Sequence, residues 1–227
     1  TLQSLAESWL EHRDDLSETK AIHQKIIPIL ESLNTPYARE LLSIKDYFIK
    51  ASQWIVGGDG WAYDIGYGGI DHVIANNEDV NILVLDTQVY SNTGGQSSKA
   101  APIGSIAKFT AAGKPTKKKD LGMMAMQYGH VYVAQISHGA NPGHVVKVLK
   151  EAESYHGPSI VIAYAPCIEH GITGGLTNTF AQAKLATECG YWPIYRFDPR
   201  REEKGKNPLQ LDTKNPIWDK YHDYLLS

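Results

Sequence analysis

Asp59 stands between Gly58 and Gly60, directly after the apolar run Trp54-Ile55-Val56-Gly57. Glycine on both sides leaves bare backbone that a bulky anion can approach, and the carboxylate can hold a hard cation through oxygen. Thr87 offers a second oxygen 28 residues downstream, where the run Val80 to Leu85 has ended at Asp86. That separation leaves room for one crossover helix and one further strand, so the two side chains can sit at neighbouring strand ends and face one cation. Magnesium suits the pair, because it takes few protein oxygens and completes its shell with water and phosphate. Glycines and an acid beyond the ends of short apolar runs, read as buried strands, are how an open parallel α/β sheet presents a ligand site.

The stretch Gly57-Gly58-Asp59-Gly60-Trp61-Ala62-Tyr63-Asp64-Ile65-Gly66, read with Leu85-Asp86-Thr87-Gln88-Val89-Tyr90-Ser91-Asn92-Thr93-Gly94-Gly95-Gln96, resembles the thiamine diphosphate signature. Where the wider superfamily often ends that signature with Asn, Thr87 stands here. With the wording that follows Thr87, the chain is similar to the 2-oxoacid:ferredoxin oxidoreductases, and to the pyruvate:ferredoxin (flavodoxin) oxidoreductases in particular, from about Leu5 to its last residues. The resemblance implies thiamine diphosphate and Mg2+ as cofactors. Asp59 and Thr87 would bind magnesium through side chains and Val89 through its main-chain carbonyl. Gly58, Gly60, Trp61, Thr93 and Gly94 would line the cofactor, with Asn92 near the reactive thiazolium end as the catalytic candidate.

Cys167, in Ala165-Pro166-Cys167-Ile168-Glu169-His170-Gly171, would be the fourth ligand of a 4Fe–4S cluster whose other three thiolates lie upstream. The glutamate that activates the aminopyrimidine belongs to a separate domain in the family, and no residue here is assigned to it. The implied enzyme oxidatively decarboxylates pyruvate with coenzyme A to acetyl-CoA and CO2. Its electrons pass via iron–sulfur clusters to ferredoxin or flavodoxin. It would be a cytoplasmic homodimer that includes further domains of the same enzyme and contacts neither nucleic acid nor membrane. Three other readings stay open: a non-catalytic cofactor-binding fragment, an oxidoreductase for another 2-oxoacid, and a non-oxidative thiamine enzyme, against which Cys167 argues.

The elements that must position these residues follow from periodicity. Apolar residues at helical spacing predict a helix over 4–33 and, after Asn34-Thr35-Pro36, a second over 37–48 with Leu41, Leu42 and Tyr47 inward. Strands are expected at 53–57, 80–86, 130–136 and 159–165, with helices at 64–77, 121–129, 143–155 and 175–189 between or after them. Pro193 makes 191–197 an edge-like last strand. Residues 200–216 read as an extended surface tail, docked by Trp218, Tyr221 and Tyr224. The fold class is α/β, a mostly parallel sheet with helices on both faces and a helical arm before it. The expected boundaries are 1–50 for the lead-in, 51–199 for the cofactor domain and 200–227 for the tail.

Several other features read as structural first. Asp64 suits a helix cap, and Met123, Met124 and Met126 suit core filling. His138, His144 and His170 can reach the cleft but read as structural or surface residues. The basic run Lys114 to Asp120 reads as a solvated loop, with coenzyme A phosphates or an acidic electron carrier as alternatives. The long polar loop 87–105 reads as functional. The 227 residues are 42% hydrophobic with a net charge of −3, which gives no global support to polyanion binding. Two cysteines exclude a disulfide framework and suit a reducing compartment. No apolar run reaches membrane-span length, no signal peptide begins at Thr1, and the missing initiator Met suggests a piece of a longer polypeptide.

Overall fold

Capping chemistry divides the expected helix 4–33 in two. α1 (Leu2–His12) ends before Asp15, and that carboxylate accepts from the main-chain N–H groups of Ser17 and Glu18 to start α2 (Leu16–Ser32). Thr35 then accepts from Ala38 N, and Pro36 takes the first position of α3 (Pro36–Ser43). A 3-10 turn, Lys45–Phe48, replaces the rest of the predicted second helix. Ile26, Leu30 and Ala38 are buried against Leu5, Leu42 and Phe48, whereas Leu41 and Tyr47 face outward, against expectation. The computed structural model describes residues 1–213 and 215–227, and Thr1–Ser52 and Gln53–Ser227 form separate compact units.

The second unit is built on a six-stranded sheet in the spatial order β1 (Trp54–Gly58), β2 (Asn81–Asp86), β6 (Ser159–Tyr164), β5 (Tyr132–Ile136), β7 (Tyr195–Phe197), β8 (Leu209–Leu211). β1, β2, β6 and β5 run parallel, as expected. β1 is not a buried strand but the sheet's edge, and Ile55 and Val56 are exposed on this chain. Alternate residues of the inner strands feed two cores. Ile82, Val84, Val133, Ile160 and Ile162 pack in one with α4 (Tyr67–Ala75), α5 (Leu121–Met126) and α7 (Thr179–Glu188). Ala134, Ile136 and Val161 pack in the other with Val148 and Ala152 of α6 (Pro142–Glu153). This is the two-sided burial that parallel strands require. Among the described residues no helix is long and apolar enough to cross a membrane.

Several expectations change here. The helix predicted over 64–77 opens with a π-type turn, Gly60–Ile65, closed by a 2.7 Å bond from Gly66 N to Trp61 O, so α4 begins only at Tyr67. Asp64 caps nothing. It lies inside that turn, accepts from Lys99 N and pairs with the Lys99 ammonium. The last predicted strand shrinks to β7 (Tyr195–Phe197) and is not an edge, because the expected surface tail supplies β8 (Leu209–Leu211) beside it. The physical reason is Arg196, which is buried in β7 and bonds Glu151 of α6 and Asp212 just after β8 at 2.8–3.1 Å. His144 Nε2 also donates to Asp212 Oδ2 at 3.0 Å, which gives it a structural post. Beyond β8, α8 (Lys220–Leu226) buries Tyr224 against Tyr164 and Tyr191, while Trp218 stays exposed. Met123 and Met124 are exposed as well and do not fill the core.

Candidate active site

The carboxyl ends of β1, β2 and β6 meet at one rim of the sheet, on either side of the point where β6 inserts between β2 and β5. Asp59 follows β1 directly and is 1% exposed. Its Oδ1 accepts from the Thr87 hydroxyl at 2.6 Å and from Thr87 N at 3.3 Å. The same hydroxyl lies 2.8 Å from the Val89 carbonyl oxygen. The sequence-predicted trio of Asp59, Thr87 and Val89 is therefore gathered within hydrogen-bond distances. Burial pushes the Asp59 pKa up, against the bonds from Ser98 and Thr87, which pull it down. Among the described residues no three His, Cys, Asp or Glu side chains cluster, so the oxygens gathered here combine one carboxylate with neutral groups.

The glycines divide their work. A Cβ on Gly57 or Gly66 would fall 2.3 or 2.1 Å from the Trp61 indole, so Trp61 lies in a slot between two bare backbones. Gly60 has its bare face against the Tyr90 ring, 2.3 Å from where a Cβ would be, and not against open space. A Cβ on Gly58 would meet only Leu85 O, at 3.9 Å. After Val89 the expected loop forms a short ribbon, β3 (Val89–Tyr90) against β4 (Gln96–Ser97). Gly94 and Gly95, at φ +98° and +84°, turn it over. Asn92 and Thr93 are exposed near its tip, where Thr93 bonds the Gln96 side chain.

Two site neighbours were not singled out by sequence reasoning. Ser98, buried on the loop after β4, donates to the second Asp59 oxygen at 2.5 Å. Only its place in a long polar loop hinted at this. Asp86, fully buried, accepts from Tyr63 OH and Lys118 Nζ, each at 2.6 Å. The predicted solvated basic loop is therefore corrected. Lys114 is buried with its ammonium on the Ala101 and Lys117 carbonyls, Lys118 is bound to Asp86, and Lys119 lies over the Tyr67 ring. His170, which the sequence put within reach of the cleft but read as structural or surface, also lies here. Cys167 N donates to its Nδ1 at 3.4 Å. Burial lowers its pKa, partly offset by a bond to the Thr87 main chain and by the Asp59 and Asp86 carboxylates. Cys167 itself is 7% exposed, with Sγ 2.8 Å from Ser91 Oγ. The His138 ring lies tilted against that of Phe180, and Cys189 caps α7, fully buried.

A family model described as "Thiamine pyrophosphate enzyme, C-terminal TPP binding domain" matches residues 47–163, just over half of the chain. The chain belongs to this family. It is also similar, at 53% identity over 224 residues, to the pyruvate-flavodoxin oxidoreductase of Klebsiella pneumoniae, covering 99% of this chain and 18% of that protein. It is 52% identical over 231 residues to the pyruvate:ferredoxin oxidoreductase of Moorella thermoacetica, covering 99% of this chain and 20% of that protein. The chain thus spans about a fifth of the length of these relatives and corresponds to a segment of their thiamine-binding part. A solved 2-oxoglutarate:ferredoxin oxidoreductase from Magnetococcus marinus aligns with a TM-score of 0.49 at 23% identity, over 75% of this chain and 60% of that one.

Proposed function

We propose that this thiamine pyrophosphate-family chain holds the diphosphate and the magnesium of its cofactor within a larger 2-oxoacid oxidoreductase. The observation that carries the reading is the convergence of the Asp59 carboxylate, the Thr87 hydroxyl and the Val89 carbonyl. All are hard oxygen donors, and only one is charged. The remainder of an octahedral shell is left to phosphate and water, which is how magnesium binds beside phosphates. A cation there also relieves a buried carboxylate whose ionisation burial disfavours. In this reading Gly58, with open space over it, lets the backbone approach the diphosphate, Gly60 makes room for the Tyr90 ring, contrary to its expected place against the diphosphate, and Trp61 braces the turn that carries both. Asn92, Thr93 and Gly94 meet the cofactor from the ribbon.

Bound thiamine diphosphate supplies the carbanion chemistry at the 2-oxo carbon, and the protein orients it and balances its charge. The complete enzyme would oxidatively decarboxylate pyruvate with coenzyme A to acetyl-CoA and CO2, passing two electrons via iron–sulfur clusters to ferredoxin or flavodoxin. The names of the Klebsiella and Moorella relatives support pyruvate and these acceptors. Cys167 would ligate a 4Fe–4S cluster as its fourth thiolate. Its Sγ is bonded by Ser91 Oγ and Glu169 N, contacts of the kind that tune a ligating sulfur. A cytoplasmic homodimer completes the proposal. Calorimetric titration of the full-length protein with thiamine diphosphate, with and without Mg2+, tests the site. The expected result is magnesium-dependent binding that Asp59→Ala loses, together with pyruvate- and coenzyme A-dependent dye reduction. Binding indifferent to both magnesium and Asp59→Ala would overturn it.

A further inference from the structure

Gln88 separates Thr87 from Val89, and its backbone is left-handed, at φ +61°. The other non-glycine residues with positive φ among the described ones are Asn77, Phe109 and Asn215, all exposed; Gln88 is buried. Outside Asn, Asp and Gly this conformation is uncommon, and it persists only where the surroundings enforce it. Its geometric effect is specific. In an extended strand, residues i and i+2 lie roughly 6–7 Å apart. Here the turn at Gln88 folds the chain back, so that the Thr87 hydroxyl reaches the Val89 carbonyl oxygen at 2.8 Å while also meeting Asp59.

Two bonds enforce the turn. Gln88 N donates to Asp86 Oδ1 at 3.2 Å, and the Tyr191 hydroxyl donates to Gln88 Oε1 at 2.8 Å. Asp86 is itself fixed by Tyr63 and Lys118. Tyr191 is held from the far side, its ring 4.4 Å from that of Tyr224 between centroids. The side-chain bond thus ties the strained residue to an aromatic cluster made by the C-terminal helix.

We propose that Gln88, latched by Tyr191, is a positioning residue that sets the Thr87 hydroxyl and the Val89 carbonyl toward the cation before the cation arrives. This rests on the reading of Asp59, Thr87 and Val89 as the magnesium ligands. The latch fixes the left-handed turn in the cation-free protein. Without it, an L-residue relaxes toward ordinary φ, and cation binding must restore the turn each time. Glycine bears no such cost.

The test is Mn2+ titration by electron paramagnetic resonance, in the presence of thiamine diphosphate, on the full-length protein. It compares wild type with Gln88→Ala, Gln88→Gly, Tyr191→Phe and Asp59→Ala. Gln88→Ala is expected to weaken Mn2+ binding about five- to thirtyfold, the penalty of a left-handed L-residue expressed as an equilibrium ratio. Gln88→Gly, which lacks the same side chain, is expected to stay within about threefold of wild type by the same argument. Tyr191→Phe should fall on the side of Gln88→Ala. Equal loss in the Ala and Gly variants, or wild-type affinity in Gln88→Ala, overturns the inference. Asp59→Ala separates the two levels: if it leaves Mn2+ binding intact, the ligand assignment itself fails. If it abolishes binding while Gln88→Ala does not weaken it, only the role of Gln88 fails.

Discussion

Replacing Lys118 by Met keeps an unbranched side chain, one heavy atom shorter, and removes its charge. Asp86 is then left fully buried with two neutral donors, Tyr63 OH and Gln88 N, and no cation. Breaking one side of a buried pair costs about 3–5 kcal/mol, because the surviving charge stays buried. The low end applies, since both neutral donors remain and the Lys118 side chain is 27% exposed. A loss of about 3 kcal/mol corresponds to roughly a hundredfold less protection of the central strands, at 1.36 kcal/mol per decade. Hydrogen exchange read by mass spectrometry on peptides covering β2 and β6 measures this directly. Lys117→Met, on an exposed neighbour, should leave the same peptides unchanged. The double variant Lys118→Met/Asp86→Asn should recover most of the protection, because the uncompensated charge is gone. Protection within threefold of wild type in Lys118→Met, or a double variant no better than the single, would refute the reasoning. It would return Lys118 to the solvated loop the sequence suggests.

Two further outcomes follow from the titrating groups. The Asp59 pKa is raised in the folded chain by burial, so the folded state favours its protonated form, and stability falls as pH rises through that raised value. Asp59→Asn should therefore raise the melting temperature of the cation-free protein at neutral pH, with the gain shrinking as pH drops toward the ordinary aspartate range; a constant gain at all pH values would contradict this. Burial acts against ionisation of Asp212, but the bonds from Arg196 and His144 outweigh it and hold its pKa below the usual aspartate value. Its contribution is present above about pH 4 and is lost as pH falls through the depressed value. Protection of β8 amides, taken relative to the intrinsic exchange rate at each pH, should therefore fall in acid, and Arg196→Met should give the same loss of protection at neutral pH.

What the sequence determined by itself was local. Glycine beside acid at the end of an apolar run, strand lengths, and the spacing from Asp59 to Thr87 are short-range patterns, and they predicted the parallel strands and the Asp59–Thr87 pair, while the Val89 carbonyl came with the family resemblance. The helix expected from 64 begins only at Tyr67 because Asp64 and Ile65 still belong to the π-type turn that fits Trp61 between Gly57 and Gly66, a fit no local pattern shows. What the tertiary structure alone decided is the set of bonds between residues far apart in the chain. Ser98 reaches Asp59 across 39 residues and Lys118 reaches Asp86 across 32. β8 joins the sheet because Arg196 binds Asp212. A lysine in a basic run looks solvated until a buried carboxylate is found opposite it, and a glutamine between two ligands carries no sign of its left-handed backbone. Such choices are made by the energy of desolvated partners meeting, and that energy exists only once the strands have brought them together.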